Sequence, residues 1–381
     1  MVSEPGTFGP VAVGLVEESR AGTDLAALVV ALRARAWFER SLQRNVDARR
    51  TLDEAVTVAR RGGLPTRLGE ALVSRAAVNL ELGRTDAAWR DLRTAAAQGP
   101  ASPEVEYMRA VVLQNLGRLA AAADAYRLVL AHPDTPPDRR GGAANNLALI
   151  DAAHGRYADG LRRLDEVLHA VEGPDGRSQA LRAYATHNRS LILAQSGRLA
   201  ESVRTFADAV DQLAAAGLPL GEFQAEHAET LADLRLLPEA RAMADRAATE
   251  LDAHQVPLMA AEARLTLARV ALRSGDWQAA VESAVDAGAR FRRQRRSAWA
   301  ARATTVEAEA SLLGGTGTAD LLARTRRGAG MLQRAGLPSA AIGAYLVAGR
   351  IAEDLDRPDV AHRSFVAGAA LPRTGPVVTR L

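Results

Sequence analysis

From about Asp24 onward, apolar residues return every three or four positions, and no convincing alternation of apolar and polar residues marks a strand. The pattern predicts helices throughout. Breakers punctuate it regularly, at Gly62-Gly63-Leu64-Pro65, Gly99-Pro100, residues 133–137, Gly173-Pro174, Gly217-Leu218-Pro219, Pro257, residues 314–317 and Gly336-Leu337-Pro338. Glycine supplies a left-handed stop and proline fits the first turn of the next helix, so each breaker reads as a border between helix pairs. Inside the pairs a second turn recurs. Leu82-Gly83-Arg84, Leu116-Gly117-Arg118, His154-Gly155-Arg156, Ser196-Gly197-Arg198 and Ser274-Gly275-Asp276 each separate two Ala/Leu-rich runs, with glycine gaps of 34, 38, 42 and 78 residues. A near-constant period in this range is the mark of a stacked helix-turn-helix array.

The glycine also sets a register. Leu119, Tyr157, Leu199 and Trp277 stand two residues after it, and Ala88, Ala122 and Ala280 five after it. Tyr126 and Phe206 stand nine after it, and Ala95, Ala209 and Ala287 twelve after it. This order of turn, bulky, small, aromatic and small resembles the second half of the tetratricopeptide repeat, best in residues 115–130 and 273–289. Weaker copies lie at Ala48 with Leu52, Ala240 with Ala247, and Ala361 with Phe365 and Gly368. The resemblance covers residues 24–372 and implies an all-α, right-handed α-α superhelix (solenoid) of about eight or nine helix pairs. Residues 1–23 are read as an N-terminal segment and 373–381 as a tail. Gly160 and Ser202 replace the expected alanine, most repeats are longer than the family's, and residues 297–335 fit least well, with a displaced turn.

Composition narrows the chemistry. All 48 basic residues are arginine, which leaves no Schiff-base lysine and no phosphate-loop lysine. Cysteine is absent, so disulfides, thiolate ligands and a cysteine nucleophile are excluded. The seven histidines include no pair at the i, i+4 spacing of a helical metal site, and no G-x-S-x-G elbow occurs. Gly314-Gly315-Thr316-Gly317 follows no strand and lacks the third glycine of a dinucleotide loop. The expectation is a protein that is not an enzyme and carries no cofactor or metal. With no basic leader before the short apolar stretch near the start, and no apolar run of 18 residues, it is expected to be cytoplasmic and to have no membrane partner. The net charge of +3 is modest and dispersed, which argues against nucleic acid.

A narrower resemblance, in residues 37–63 and 82–96, is to the repeat half of actinobacterial proteins that join such repeats to a caspase-like CHAT domain. That likeness implies a sensing or substrate-docking role beside a protease domain, whose His/Cys pair this cysteine-free chain lacks. The end of the array shows no evident polar capping helix, so a downstream domain or partner is expected to cover it.

Candidate binding residues follow from the array. Asn146 and Asn188 each precede a turn glycine by nine residues, which places them at equivalent points on an inner face. In the resembled family an asparagine there often holds the backbone of a bound peptide, which an amide can do as both donor and acceptor. Tyr107, Gln114, Tyr184, His187 and Arg269 are expected to face the same groove. Arg290, Arg292, Arg293, Arg295 and Arg296 make the densest basic patch, which Arg324, Arg326 and Arg327 would extend. Glu222, Glu226 and Glu229 form an acidic strip at helical spacing, read as a solvated face. The expected function is non-catalytic binding of a protein or peptide on the concave face. The alternatives are a regulator that senses a signalling peptide or small ligand, and a nucleic-acid-binding solenoid using the arginine clusters.

Overall fold

The computed structural model describes residues 5–372 except 43, 100–101, 172–175, 217 and 219, with side chains from residue 11 except 176, 177 and 222. Among them there are nineteen helices and no strand. Helix α1 (Pro5–Ala21) leads nine pairs: α2 (Leu25–Ser41) with α3 (Asn45–Arg61), α4 (Pro65–Glu81) with α5 (Thr85–Ala96), and α6 (Pro103–Asn115) with α7 (Leu119–Ala131). Then come α8 (Pro137–Ala153) with α9 (Tyr157–Ala170), α10 (Gly176–Gln195) with α11 (Leu199–Ala215), and α12 (Gly221–Asp233) with α13 (Leu237–Ala253). Last are α14 (Pro257–Arg273) with α15 (Trp277–Arg293), α16 (Ser297–Leu313) with α17 (Ala319–Arg334), and α18 (Pro338–Asp354) with α19 (Pro358–Ala369). The first helix of each pair touches the first helix of the next, whereas consecutive second helices share no comparable contact. The stack therefore curves into a right-handed superhelix, with α2 to α18 (even numbers) on the inside. Segment 1–23, expected to lie outside the array, contributes α1, whose Val16 packs with Leu28, Val29 and Leu32 of α2.

The eight pairs from α4–α5 to α18–α19 share the same turn chemistry. A residue in the left-handed region follows the first helix, and the next N–H reaches back to the carbonyl five residues earlier: Arg84 to Asn79, Arg118 to Leu113, Arg156 to Asp151 and Arg198 to Leu193. The 78-residue gap is halved by Arg235 (φ 65), whose neighbour Leu236 makes the same bond to Leu231, and Asp356 (φ 54) builds the last such turn. The small residues of the sequence register are buried in the pair interfaces: Ala88, Ala122, Ala240 and Ala280 are all 0% exposed. At the two departures, a Cβ on Gly160 would lie 2.9 Å from the Ala148 oxygen, while the Ser202 hydroxyl donates to the Ser190 oxygen at 2.8 Å. Among residues 297–335, α17 starts later relative to its turn than the other second helices, which is the displacement seen in the sequence.

The coil closes on itself. The Thr85 hydroxyl donates to the Gln294 carbonyl at 2.5 Å, Arg295 pairs with Asp86, and the Arg296 Nε donates to the Asn115 carbonyl at 3.0 Å. Leu258 of α14 shares an apolar cluster with Leu80 of α4 and Val112 of α6. A cleft of about 250 Å³ between Arg44, Asn45 and Asp47 on one side and His254 and Gln255 on the other continues this seam. Gly83 and Gly117 serve it as well as the turns, since a Cβ would come within 2.7 Å of Gln294 Cγ and Ala298 Cβ respectively. At the far end, α19 presents Asp359, His362 and Arg363 outward, with Val366 as its exposed large apolar residue, rather than a broad apolar face.

Candidate functional site

Counting back from the left-handed turn residue gives each inner helix the same frame. Asn146, Asn188, Glu226 and Thr266 stand nine residues before it, on α8, α10, α12 and α14, and Glu229 and Arg269 stand six before it. Apart from Asn146, which bonds Tyr126 of α7, these side chains link neighbouring inner helices, and together they divide the concave face into three stations.

The first station lies on α6 to α10 and is held by neutral hydrogen bonds. Asn188 donates to the Asn145 oxygen at 3.0 Å, Asn145 to the Asn146 oxygen at 3.3 Å, Asn146 to the Tyr126 hydroxyl at 2.9 Å, and Tyr126 to the Gln114 oxygen at 2.9 Å. Tyr107 packs edge-on against Tyr126 at 6.0 Å, with the Arg139 guanidinium over its ring. Burial raises the pKa of both phenols, well above the ordinary value for Tyr126, so they act as neutral donors and acceptors. Tyr107, Gln114, Asn146 and Asn188 are thus brought together. Asn146 is partly exposed, whereas Asn188 is only 8% exposed and its amide is spent on Asn145. Asn145 escaped the sequence reading although it is the neighbour of Asn146.

The second station is aromatic. His187 is 1% exposed, lies 4.7 Å from Phe223 and 5.9 Å from Phe206, and its Nε2 is 2.6 Å from Glu226. Tyr184 tilts against Phe223 at 5.6 Å. His227 stacks on Phe206 with centroids 3.5 Å apart, and burial, with His187 nearby, lowers its pKa to about 4.

The third station is ionic. Arg269 donates to Glu229 at 2.7 Å, Thr266 to the same carboxylate at 3.1 Å, and Arg273 pairs with Asp233 at 3.1 Å. Burial acts to raise the Glu229 pKa, but Arg269 and Arg273 and the bonds from Arg269 and Thr266 outweigh it and hold the carboxyl below its usual range. The acidic strip read as a solvated face is therefore matched by cations and a histidine along the inner surface, while the Glu222 side chain lies outside the described ones. Beyond these pairs sits Arg302 of α16, with its guanidinium 5.0 Å from the Trp299 ring centroid. Burial, then the nearby Arg269, lower its pKa to about 10, so it is charged at neutral pH.

The basic patch is not one surface. Arg296 is 0% exposed, beneath the seam, where it bonds the Asn115 carbonyl, pairs with Glu262, and lies over the Phe291 and Trp299 rings. Arg290 is tied to Asp252 and Asp286, and Arg295 pairs with Asp86 across the seam. Only Arg292 and Arg293 of the five are exposed without a described ion pair. Arg324 is held by Glu307 and Asp320 rather than extending a patch. No run-length signal marks Arg296 as the buried member, because its partners are remote in sequence. Among the described residues, no group of three His, Asp or Glu side chains is placed to hold a metal, and no helix is long and apolar enough to cross a membrane.

No protein-family profile matches the chain, and no curated protein matches it in sequence. Solved structures do resemble it. A Rap protein complexed with competence and sporulation factor superposes with a TM-score of 0.64 at 11% identity, over 90% of this chain and 97% of that one. Human IFIT1, solved as a dimer with m7Gppp-AAAA, gives 0.54 at 13% identity, over 97% of this chain and 82% of that one. A STAND signal-transduction ATPase with a tetratricopeptide repeat sensor, from Pyrococcus horikoshii, gives 0.51 at 12% identity, over 84% of this chain and 52% of that one. At these identities the likeness establishes the fold: a tetratricopeptide-like helical repeat superhelix.

Proposed function

We propose that this chain is a non-catalytic interaction module that holds an extended peptide or protein segment against its concave face. The observation that carries the reading is the strip of amide, aromatic and charged side chains on α6 to α14, in which Asn188, His187 and Arg269 bond to the neighbouring inner helix. A preformed groove of this kind lowers the ordering cost of binding an extended chain. Asn146, Tyr184 and Arg269 offer the main-chain, aromatic and charged contacts such a ligand uses. The Rap neighbour, solved in complex with competence and sporulation factor, supports a bound factor as the kind of ligand such an array takes. A protease-associated role rests on the likeness of residues 37–63 and 82–96 alone, and the adjacent coding sequence tests it. The nucleic-acid alternative, which the IFIT1 neighbour keeps in view, loses the clustered arginines that motivated it.

The test is capture of peptides from a source-cell extract on the immobilised full chain, read by mass spectrometry and followed by titration of each captured peptide. Asn146→Ala and Tyr184→Ala are expected to weaken binding about tenfold, the scale of one lost hydrogen bond or anchor. Arg292→Ser with Arg293→Ser is expected to leave it unchanged. Binding that ignores the concave substitutions, or that falls steeply with salt and depends on the two exposed arginines, would overturn the reading.

A further inference from the structure

The seam between the two turns of the coil presents the same pair of helix ends twice, and the protein closes only one of them. Thr85 opens α5 and Gln294 follows α15; the Thr85 hydroxyl donates to the Gln294 carbonyl at 2.5 Å, and Asp86 pairs with Arg295 beside it. One helix pair earlier on each side, Asn45 opens α3 and His254 follows α13, so they stand where Thr85 and Gln294 do. Val46 and Gln255 take the places of Asp86 and Arg295, which removes the ion pair as well. Here the seam holds the cleft of about 250 Å³ instead, with Leu42, Arg44, Asn45 and Val46 on one wall and His254 on the other. Asn45 is 2% exposed, yet its Oδ1 accepts no hydrogen bond. A buried acceptor without a donor is costly and calls for a partner. No side chain caps α3, so the N–H groups of its first turn also lie open at this cleft. Arg44 spends Nε and Nη2 on Asp47, while its Nη1 has no bond among the described residues. Leu42 and Val46 remain 42% and 46% exposed.

We propose that the cleft between the α2–α3 and α13–α14 turns binds a free aliphatic α-amino acid, which completes the seam where the chain leaves it open. The volume lies a little below about 300 Å³, where sites for drug-sized ligands begin, and so suits a small metabolite and not a folded partner. The walls name the chemical class. Asn45 Oδ1 requires an N–H, and the Asp47 carboxylate at the same cleft is a second acceptor, which together suit an ammonium group. The N-terminus of α3 and the Nη1 of Arg44 are donors that favour a carboxylate. Leu42 and Val46 supply the apolar contact for an aliphatic side chain. A ligand held by α3 and by the α13–α14 turn ties the first turn of the coil to the second, whatever the concave face binds.

The probe is a panel of free L-amino acids, screened by thermal midpoint and titrated calorimetrically into the purified full-length protein. At least one of leucine, isoleucine, valine and methionine is expected to bind saturably and to raise the midpoint. Isovalerate and isobutylamine, which each carry one end of the zwitterion, should bind at least tenfold more weakly. Asn45→Leu is expected to weaken binding at least tenfold while the midpoint of the unliganded protein holds or rises, because the unpaired carbonyl is gone. An asparagine with a merely structural role would lower that midpoint instead. Val46→Trp, which fills the cleft, should abolish binding and leave the helical circular dichroism unchanged. Absence of saturable binding by every aliphatic member of the panel overturns the proposal. So does binding that survives Asn45→Leu, or that either half of the zwitterion reproduces at equal strength. Peptide capture on the concave face is measured separately, so none of these outcomes bears on that reading.

Discussion

A Cβ built on Gly349 of α18 would lie 2.2 Å from Cε1 of Phe365 and 2.6 Å from two further carbons of that ring, because α19 seats its aromatic directly on the α18 backbone. A Cβ on Gly69 of α4 meets nothing closer than 3.7 Å. Alanine at either site gains helix propensity of about 1 kcal/mol. At Gly349 that gain is set against overpacking of about 1–3 kcal/mol. Gly69→Ala is therefore expected to raise stability by roughly 0.5–1 kcal/mol and Gly349→Ala to lower it by up to about 2 kcal/mol, with unchanged urea m-values. Midpoints that move together would contradict the described packing of α19. This scale is also where the sequence said least. The buried Arg296 reads like the four arginines around it, since its acceptor on Asn115 is 181 residues away. Asn188 reads like a ligand contact, since its bond to Asn145 links two helices that no local pattern connects.

Elements were more legible, because each helix and most turns carry their own chemistry. Glycine marks the left-handed residue in the turns at Gly83, Gly117, Gly155, Gly197 and Gly275, whereas Arg235 and Asp356 adopt the same backbone without announcing it. Arg235 explains why one interval looked doubled: the bond from Leu236 to Leu231 holds a conformation that the residue itself disfavours. Between α10 and α12 the fold also sets a pH response. His227, 6% exposed and stacked on Phe206, has its pKa lowered to about 4 by burial and by His187. The unfolded chain would take up a proton near pH 6.5, whereas the folded chain refuses it until about 4. The stability contributed by the neutral ring is therefore complete above 6.5 and lost as pH falls towards 4, by about 3 kcal/mol in all. Carboxylates add their own slope, so the informative quantity is the difference between the unaltered protein and His227→Leu in denaturant titrations from pH 7 to 4.5. A steeper decline in the unaltered protein is expected, and parallel curves would rule out a buried neutral His227.

At the scale of the whole molecule, periodicity predicts that the pairs stack but says nothing of how far the coil turns before it meets itself. The seam joins α4 and α6 to α14 and α16, and its polar contacts differ greatly in worth. Arg295 and Asp86 are 73% and 55% exposed, a setting in which an ion pair contributes about 0–1 kcal/mol. Arg296 has no exposed surface, and removing one partner of a buried pair typically costs about 3–5 kcal/mol because the other charge is left behind. Asp86→Ala is thus expected to leave both stability and shape unchanged. Arg296→Ala should cost several times more, strip the Asn115 carbonyl of its donor, and release the second turn of the coil from the first. Small-angle scattering would register that release as a larger radius of gyration, while the far-ultraviolet circular dichroism of the intact helices stays the same. Adding Glu262→Gln to Arg296→Ala removes the stranded carboxylate and should restore part of the stability without restoring the compact shape. If Arg296→Ala leaves the radius unchanged, apolar packing of Leu258 and Ala298 holds the seam on its own, and the curvature presented to a ligand does not depend on this arginine.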